Sequence, residues 1–230
     1  MAHLAHYKEA HPLPMVITHY INLVGFILLI FSGFIIHYPG IPLLNMGICR
    51  GVHVFCGIVI LINCIVRIIM AFTMKSAPTG GTRQQVTDIK SWVAGPDNKH
   101  QMGAWIKFYL FIKKDHPLAA KFNPLQKIAY CLIPFLILFM GYTGLCLWAP
   151  TMDLGIFAAG TAAMGGLMSV RIIHYFMMWV FIIFMIIHVY MAASEGGLSL
   201  LANMFARKEH GGLTYDIESH DIAGIDNSVK

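Results

Sequence analysis

The sequence predicts an all-α membrane protein, a bundle of four transmembrane helices. Three observations carry that expectation. The 230 residues are 57% hydrophobic and only 12% charged. Mean hydropathy is +0.67, outside the range of ordinary soluble domains. Four apolar stretches each reach the length of about 20 residues that a helix needs, at 1.5 Å rise, to cross the hydrocarbon core.

The elements follow in order. The first fourteen residues are polar and contain His3, His6 and His11, a solvated N-terminus rather than a metal cluster. The first apolar run, about 15–37, is too long for the core of a cleaved signal and is expected to remain as a span. The other spans are expected at about 48–73, 125–148 and 169–193, so that residues 1–195 form the transmembrane domain. The connections 38–47 and 149–168 lack Lys and Arg, whereas the long loop 74–124 holds Lys75, Arg83, Lys90, Lys99, Lys107, Lys113, Lys114 and Lys121. The positive-inside rule places that loop in the cytoplasm and, with four spans, both termini as well, in the inner membrane of the cell. Arg207 and Lys208, in the tail 196–230, agree. That tail is polar toward its end and reads either as disorder or as a docking segment. "WIKFYLFIKK", residues 105–114, mixes aromatics with lysines and suits the headgroup layer. The net charge of +5 is that of a membrane protein with a basic inner face and calls for no nucleic acid.

Cys49, Cys56, Cys64, Cys131 and Cys146 all lie within the spans, with no Cys-x-x-Cys pair. This excludes a disulfide framework, a zinc ribbon and covalently attached haem, and leaves most of them as small apolar fillers.

Four histidines sit inside the spans away from their very ends: His19, His53, His174 and His188. A polar ring in lipid is costly and ordinarily has a partner and a task. The orientation assigned above gives each a depth. His53 and His174 fall near the outer side, and His19 and His188 near the inner side. His174 and His188 are fourteen residues apart, which is about 21 Å of helix and about 40° short of four whole turns, so they share a face. Two level pairs of imidazoles are what two bis-histidine b-type haems require, each iron saturated and suited to electron transfer. The bundle is therefore expected to enclose two non-covalent haem b groups.

Neighbouring residues extend the pattern. Arg67 lies fourteen residues after His53, at the inner depth, and Gly33 lies fourteen after His19, at the outer depth. Arg50 and Arg171 each precede a ligand by three residues, where a guanidinium clamps a propionate or snorkels to the interface. Gly25, Gly33, Gly57, Gly141 and Gly144 either admit a flat macrocycle or pack helices closely.

Together, "THY", "CRGVHVFCG" with Arg67 beyond it, "IKFYLFIKK", "KFNPLQK", "RIIHYFMMW" and "IIHVYMA" resemble a known family over about residues 12–195. It is that of the dihaem cytochrome b subunits of respiratory nickel-iron hydrogenases, related to the gamma subunit of formate dehydrogenases. The resemblance implies iron-sulfur and catalytic subunits on the outer face, with electrons delivered to menaquinone or ubiquinone near the inner face. It also implies that this chain has no hydrogen- or formate-oxidising centre of its own. In the formate enzymes an Asn shortly before the third span belongs to the quinone pocket, which makes Asn123 and Gln126 the candidates here. A carboxamide suits a quinone carbonyl; the same Asn-Pro pair also reads as a helix cap with Pro124 in the first turn. The family's Arg-x-x-His-Trp is "VITHY" here, Val16 and Tyr20 replacing its Arg and Trp, so a propionate partner for the inner haem falls to Arg67 or Lys8. The alternatives are the equivalent subunit of a formate dehydrogenase or other molybdenum oxidoreductase and, from a different class, a haem-free anchor or transporter.

Overall fold

Long apolar runs satisfy their backbone polar groups most simply as helices, because lipid offers no hydrogen bonds. The computed structural model, which describes residues 2–5, 11–40, 45–76, 86–93, 100–114, 121–206, 213–216 and 222–225, is accordingly helical in the main. Its helices are α1 (Leu13–His37), α2 (Met46–Thr73), the short α3 (Ile89–Trp92) and α4 (Met102–Tyr109), α5 (Pro124–Leu147), α6 (Gly155–Ala163) and α7 (Leu167–Ala206). Among the described residues α1, α2, α5 and the Leu167–Glu195 part of α7 are long and apolar enough to cross a membrane. Their outward faces are greasy: Phe55, Phe135, Ile172 and Phe176 are all more than 60% exposed, as befits side chains whose solvent is lipid.

Two features depart from a four-span sketch. The connection 149–168 contains α6, and the turn out of it needs Gly165 and Gly166 at φ of +90° and +96°, which residues with a Cβ rarely adopt. Helix α7 runs on past the apolar stretch to Ala206, for 40 residues in all, about 60 Å against a hydrocarbon core of about 30 Å.

The chain divides into two compact units, each fed by all four long helices. One comprises Ile17–Arg67 and Pro134–Ile186. Here α1 and α2 meet at Gly25, where an added Cβ would lie 2.6 Å from Ile60 Cδ1. Asn63 donates from Nδ2 to the Thr18 carbonyl (2.8 Å) and to Asn22 Oδ1 (2.7 Å), a polar tie in an apolar interface. Helices α2 and α5 approach at Gly141, beneath Leu61. The rings of Phe26 and Phe181 lie 5.1 Å apart and join α1 to α7.

The other unit comprises Met1–Val16, Ile68–Ile133 and Ile187–Lys230. Strands β1 (Ala2–Ala5), β4 (Leu213–Asp216) and β5 (Ile222–Ile225) form an antiparallel sheet in the order β1-β4-β5. Strands β2 (Lys75–Ser76) and β3 (Val86–Thr87) pair antiparallel in the loop after α2. In the same unit Ala71, Trp92 and Phe122 form a small buried core, with Ile89 and Tyr130 packed against it. Asp88 anchors this loop: it accepts from Ser76 Oγ (2.9 Å), Trp92 Nε1 (3.0 Å) and Lys121 Nζ (2.5 Å), and both members of the ion pair are buried.

Candidate functional site

His53 enters the first unit's interior from α2 and His174 from α7, and their ring centres lie 6.2 Å apart at an interplanar angle of 63°. Two imidazoles bound through Nε2 on opposite sides of one metal ion place their ring centres about 6 Å apart, from a metal–nitrogen bond of about 2 Å and roughly 1 Å more to each ring centre. The pair therefore fits a single iron. Among the described residues no three His, Cys, Asp or Glu side chains cluster as a metal site, so two protein ligands are the arrangement that this pair offers.

The other ring nitrogen of each histidine is spoken for. Ser32 Oγ lies 2.9 Å from His53 Nδ1 and donates its own proton to the Leu28 carbonyl at 2.6 Å. Thr143 Oγ1 lies 2.9 Å from His174 Nδ1 and donates to the Met140 carbonyl at 2.9 Å. A hydroxyl has one proton, and a carbonyl can only accept it. Toward each imidazole the oxygen is then an acceptor, an arrangement that suits a hydrogen on Nδ1 and leaves Nε2 its lone pair, the form in which an imidazole can bind a metal.

Glycines give both rings room. A Cβ on Gly33 would lie 3.3 Å from His53 Cε1, and one on Gly144 would lie 3.3 Å from His174 Cε1. Gly33 is thus placed against a candidate ligand. Arg50 and Arg171 are exposed, one turn from His53 and His174, and Arg67 is half-buried farther along α2. His19 stands half-buried in the same unit, its ring edge-on to Tyr20 at 6.1 Å. His188 is exposed on the isolated chain and belongs to the other unit. Lys8 lies outside the described residues.

That other unit brings Asn123 and Gln126 together with two residues the sequence did not single out, Tyr109 and Glu195. Asn123 and Gln126 form a reciprocal cap on α5: Gln126 N donates to Asn123 Oδ1 and Asn123 N donates to Gln126 Oε1, both at 2.9 Å. Their amide nitrogens turn to the same place. Asn123 Nδ2 reaches Tyr109 Oη (2.8 Å) and Glu195 Oε1 (2.5 Å), and Gln126 Nε2 reaches Glu195 Oε2 (3.1 Å). Tyr109 Oη also donates to Glu195. Burial first, and then the Glu195 charge, push the Tyr109 phenol far above its ordinary range, so it remains protonated as that donor. One side chain thus caps the helix through its oxygen while its nitrogen faces the cluster. The available signals for the missed residues were faint. Ser32-Gly33 and Thr143-Gly144 repeat a hydroxyl-glycine pair inside apolar spans, and Glu195 is the first acid after the fourth.

Four apolar helices and a pair of imidazoles at a spacing that suits one iron define a multi-pass membrane protein of the b-type cytochrome class. Residues 10–207 match the family described as prokaryotic cytochrome b561, and the chain belongs to that family. Haem b is therefore its implied cofactor. The chain is also similar to the probable Ni/Fe-hydrogenase B-type cytochrome subunit of Azotobacter chroococcum mcd 1, at 26% identity over 195 residues, covering 79% of this chain and 78% of that one.

Proposed function

We propose that this chain is the dihaem cytochrome b subunit of a respiratory nickel-iron hydrogenase, accepting electrons from iron-sulfur and catalytic subunits on the outer face and passing them to menaquinone or ubiquinone near the inner face. The observation that carries the reading is the His53–His174 pair, 6.2 Å between ring centres, with each Nδ1 tied to a hydroxyl. The hydrogenase relative supports the choice of partner.

Haem b held by two imidazoles supplies a one-electron iron couple with no open position for oxygen. His53 and His174 hold the outer group; His19 and His188 are assigned the inner one. The continuity of α7 from Leu167 to Ala206 supports that assignment, because it keeps His174 and His188 on one helix at about 21 Å of rise. Arg50 and Arg171 are positioned one turn toward the water to bind propionates, and Arg67 serves the inner depth. Gly33 and Gly144 keep the ligand rings unobstructed.

Asn123 and Gln126, with Tyr109 and Glu195, are assigned to the quinone. A quinone carbonyl there competes with Glu195 for the amide donors, and Glu195 is the group in the cluster able to hold and release a proton. The loop 74–124, both termini and the tail from residue 196 are assigned to the cytoplasmic side of the inner membrane, which brings this cluster to the face where protons are taken up.

Haem-to-protein stoichiometry of the purified chain tests the reading, with two expected. Membranes containing the assembled complex are expected to show b-type reduction with hydrogen and none with formate. A stoichiometry of one or zero overturns the dihaem assignment, and reduction by formate alone overturns the partner.

A further inference from the structure

The two candidate ligands of the outer haem are seated alike by different helices. Helix α1 offers Ser32-Gly33 to His53 of α2, and α5 offers Thr143-Gly144 to His174 of α7. In each seat the hydroxyl takes Nδ1 at 2.9 Å and passes its own proton to a carbonyl of its own helix. In each, the following glycine leaves 3.3 Å between a notional Cβ and the ring's Cε1. That distance is tighter than nine in ten real Cβ contacts, so a larger residue there presses the ring to give by a few tenths of an ångström. A serine or threonine inside a span ordinarily bonds back to its own helix and needs no second partner. Thr73, which donates to the Ile69 carbonyl at 2.9 Å, shows that simpler use in this chain.

We propose that Ser32-Gly33 and Thr143-Gly144 are paired positioning seats that fix both axial imidazoles in the Nδ1–H form and in one ring orientation, and thereby hold down the reduction potential of the outer haem. The proposal rests on the assignment of His53 and His174 as ligands. A hydrogen bond from Nδ1–H raises the basicity of Nε2. A more basic ligand favours the oxidised iron. The two seats act on opposite ligands of the same metal, so their effects have the same sign. Loss of either hydroxyl therefore raises the potential, and loss of both raises it further. The glycines act on geometry alone, through the angle between the ring planes.

Redox titration and the low-spin ferric resonance signal of the haem-loaded full chain test this. Ser32→Ala and the isosteric Thr143→Val are each expected to change the reduced-to-oxidised ratio of one haem about threefold to tenfold at fixed potential, an upward shift of roughly 30 to 60 mV at about 59 mV per decade. Ser32→Thr and Thr143→Ser restore the wild-type value. Gly144→Ala alters the resonance signal, which depends on the angle between ligand rings, and Thr73→Val changes neither measurement. His53→Ala separates the two levels of the argument. If it leaves haem content unchanged, the ligand assignment itself is wrong. If it removes one haem, while Ser32→Ala, Thr143→Val and Gly144→Ala leave potential and signal as in the wild type, the seats are mere helix contacts and the proposal fails by itself.

Discussion

Removal of the Asp88 carboxylate is expected to destabilise the unit that carries Asn123 far more than its place in a loop suggests. Asp88 is fully buried, and the Lys121 side chain beside it is 1% exposed. The Asp88→Ala variant deletes the acceptor for Lys121 Nζ at 2.5 Å, Ser76 Oγ at 2.9 Å and Trp92 Nε1 at 3.0 Å. Breaking a buried pair from one side costs about 3–5 kcal/mol, because the remaining charge keeps its desolvation penalty and loses the carboxylate that offsets most of it. Lys121→Met should fall nearer the lower end, about 3 kcal/mol, since Asp88 retains the hydroxyl and indole donors. The double variant replaces both members of the pair and is expected to cost less than the sum of the single variants by about 2 kcal/mol or more. Unfolding in mild detergent, followed by circular dichroism across a denaturant series, gives all three values. Single-variant losses under about 1 kcal/mol, or simple additivity, refute the reasoning. Since Lys121 stands two residues before Asn123, the same variants should slow quinone reduction while leaving the haem at His53 and His174 in place.

Other outcomes follow from the same geometry. Glu195→Gln is expected to reduce turnover with a quinone at least tenfold, about 1.4 kcal/mol in the barrier, with reduction of an artificial dye and haem content unchanged; equal rates with quinone remove Glu195 from the site. Tyr109→Phe should have a smaller effect, because Asn123 and Gln126 still hold Glu195. Gly141→Ala places a Cβ 2.7 Å from Leu61 Cγ, and overpacking of this kind costs about 1–3 kcal/mol. Gly57→Ala, with nothing within 4 Å of its Cβ, is the control. Equal melting temperatures for the two variants argue against a close approach of α2 and α5.

Hydropathy is a property of a chain segment and needs no fold to be read. The helical, four-span class was therefore legible in the composition and in four long apolar runs with few charges, and the positions of His53 and His174 were legible because polar rings stand out against such runs. Spacing along one helix also sufficed to put His174 and His188 on a common face, since it depends only on the helical repeat. Contacts between segments distant in sequence have no such local signature. Ser32 reaches His53 across 21 residues and Thr143 reaches His174 across 31, while Glu195 meets Asn123 across 72. Serine, threonine and glycine are as common in plain helix packing as in a ligand seat. Only the tertiary structure decided that Ser32 and Thr143 reach the Nδ1 atoms of His53 and His174, that Asn123 both caps α5 and faces Glu195, and that Asp88 ties the loop to Lys121. Hydrogen-bond partners are chosen by which side chains the packing of apolar faces brings within about 3 Å, and that is settled by the fold.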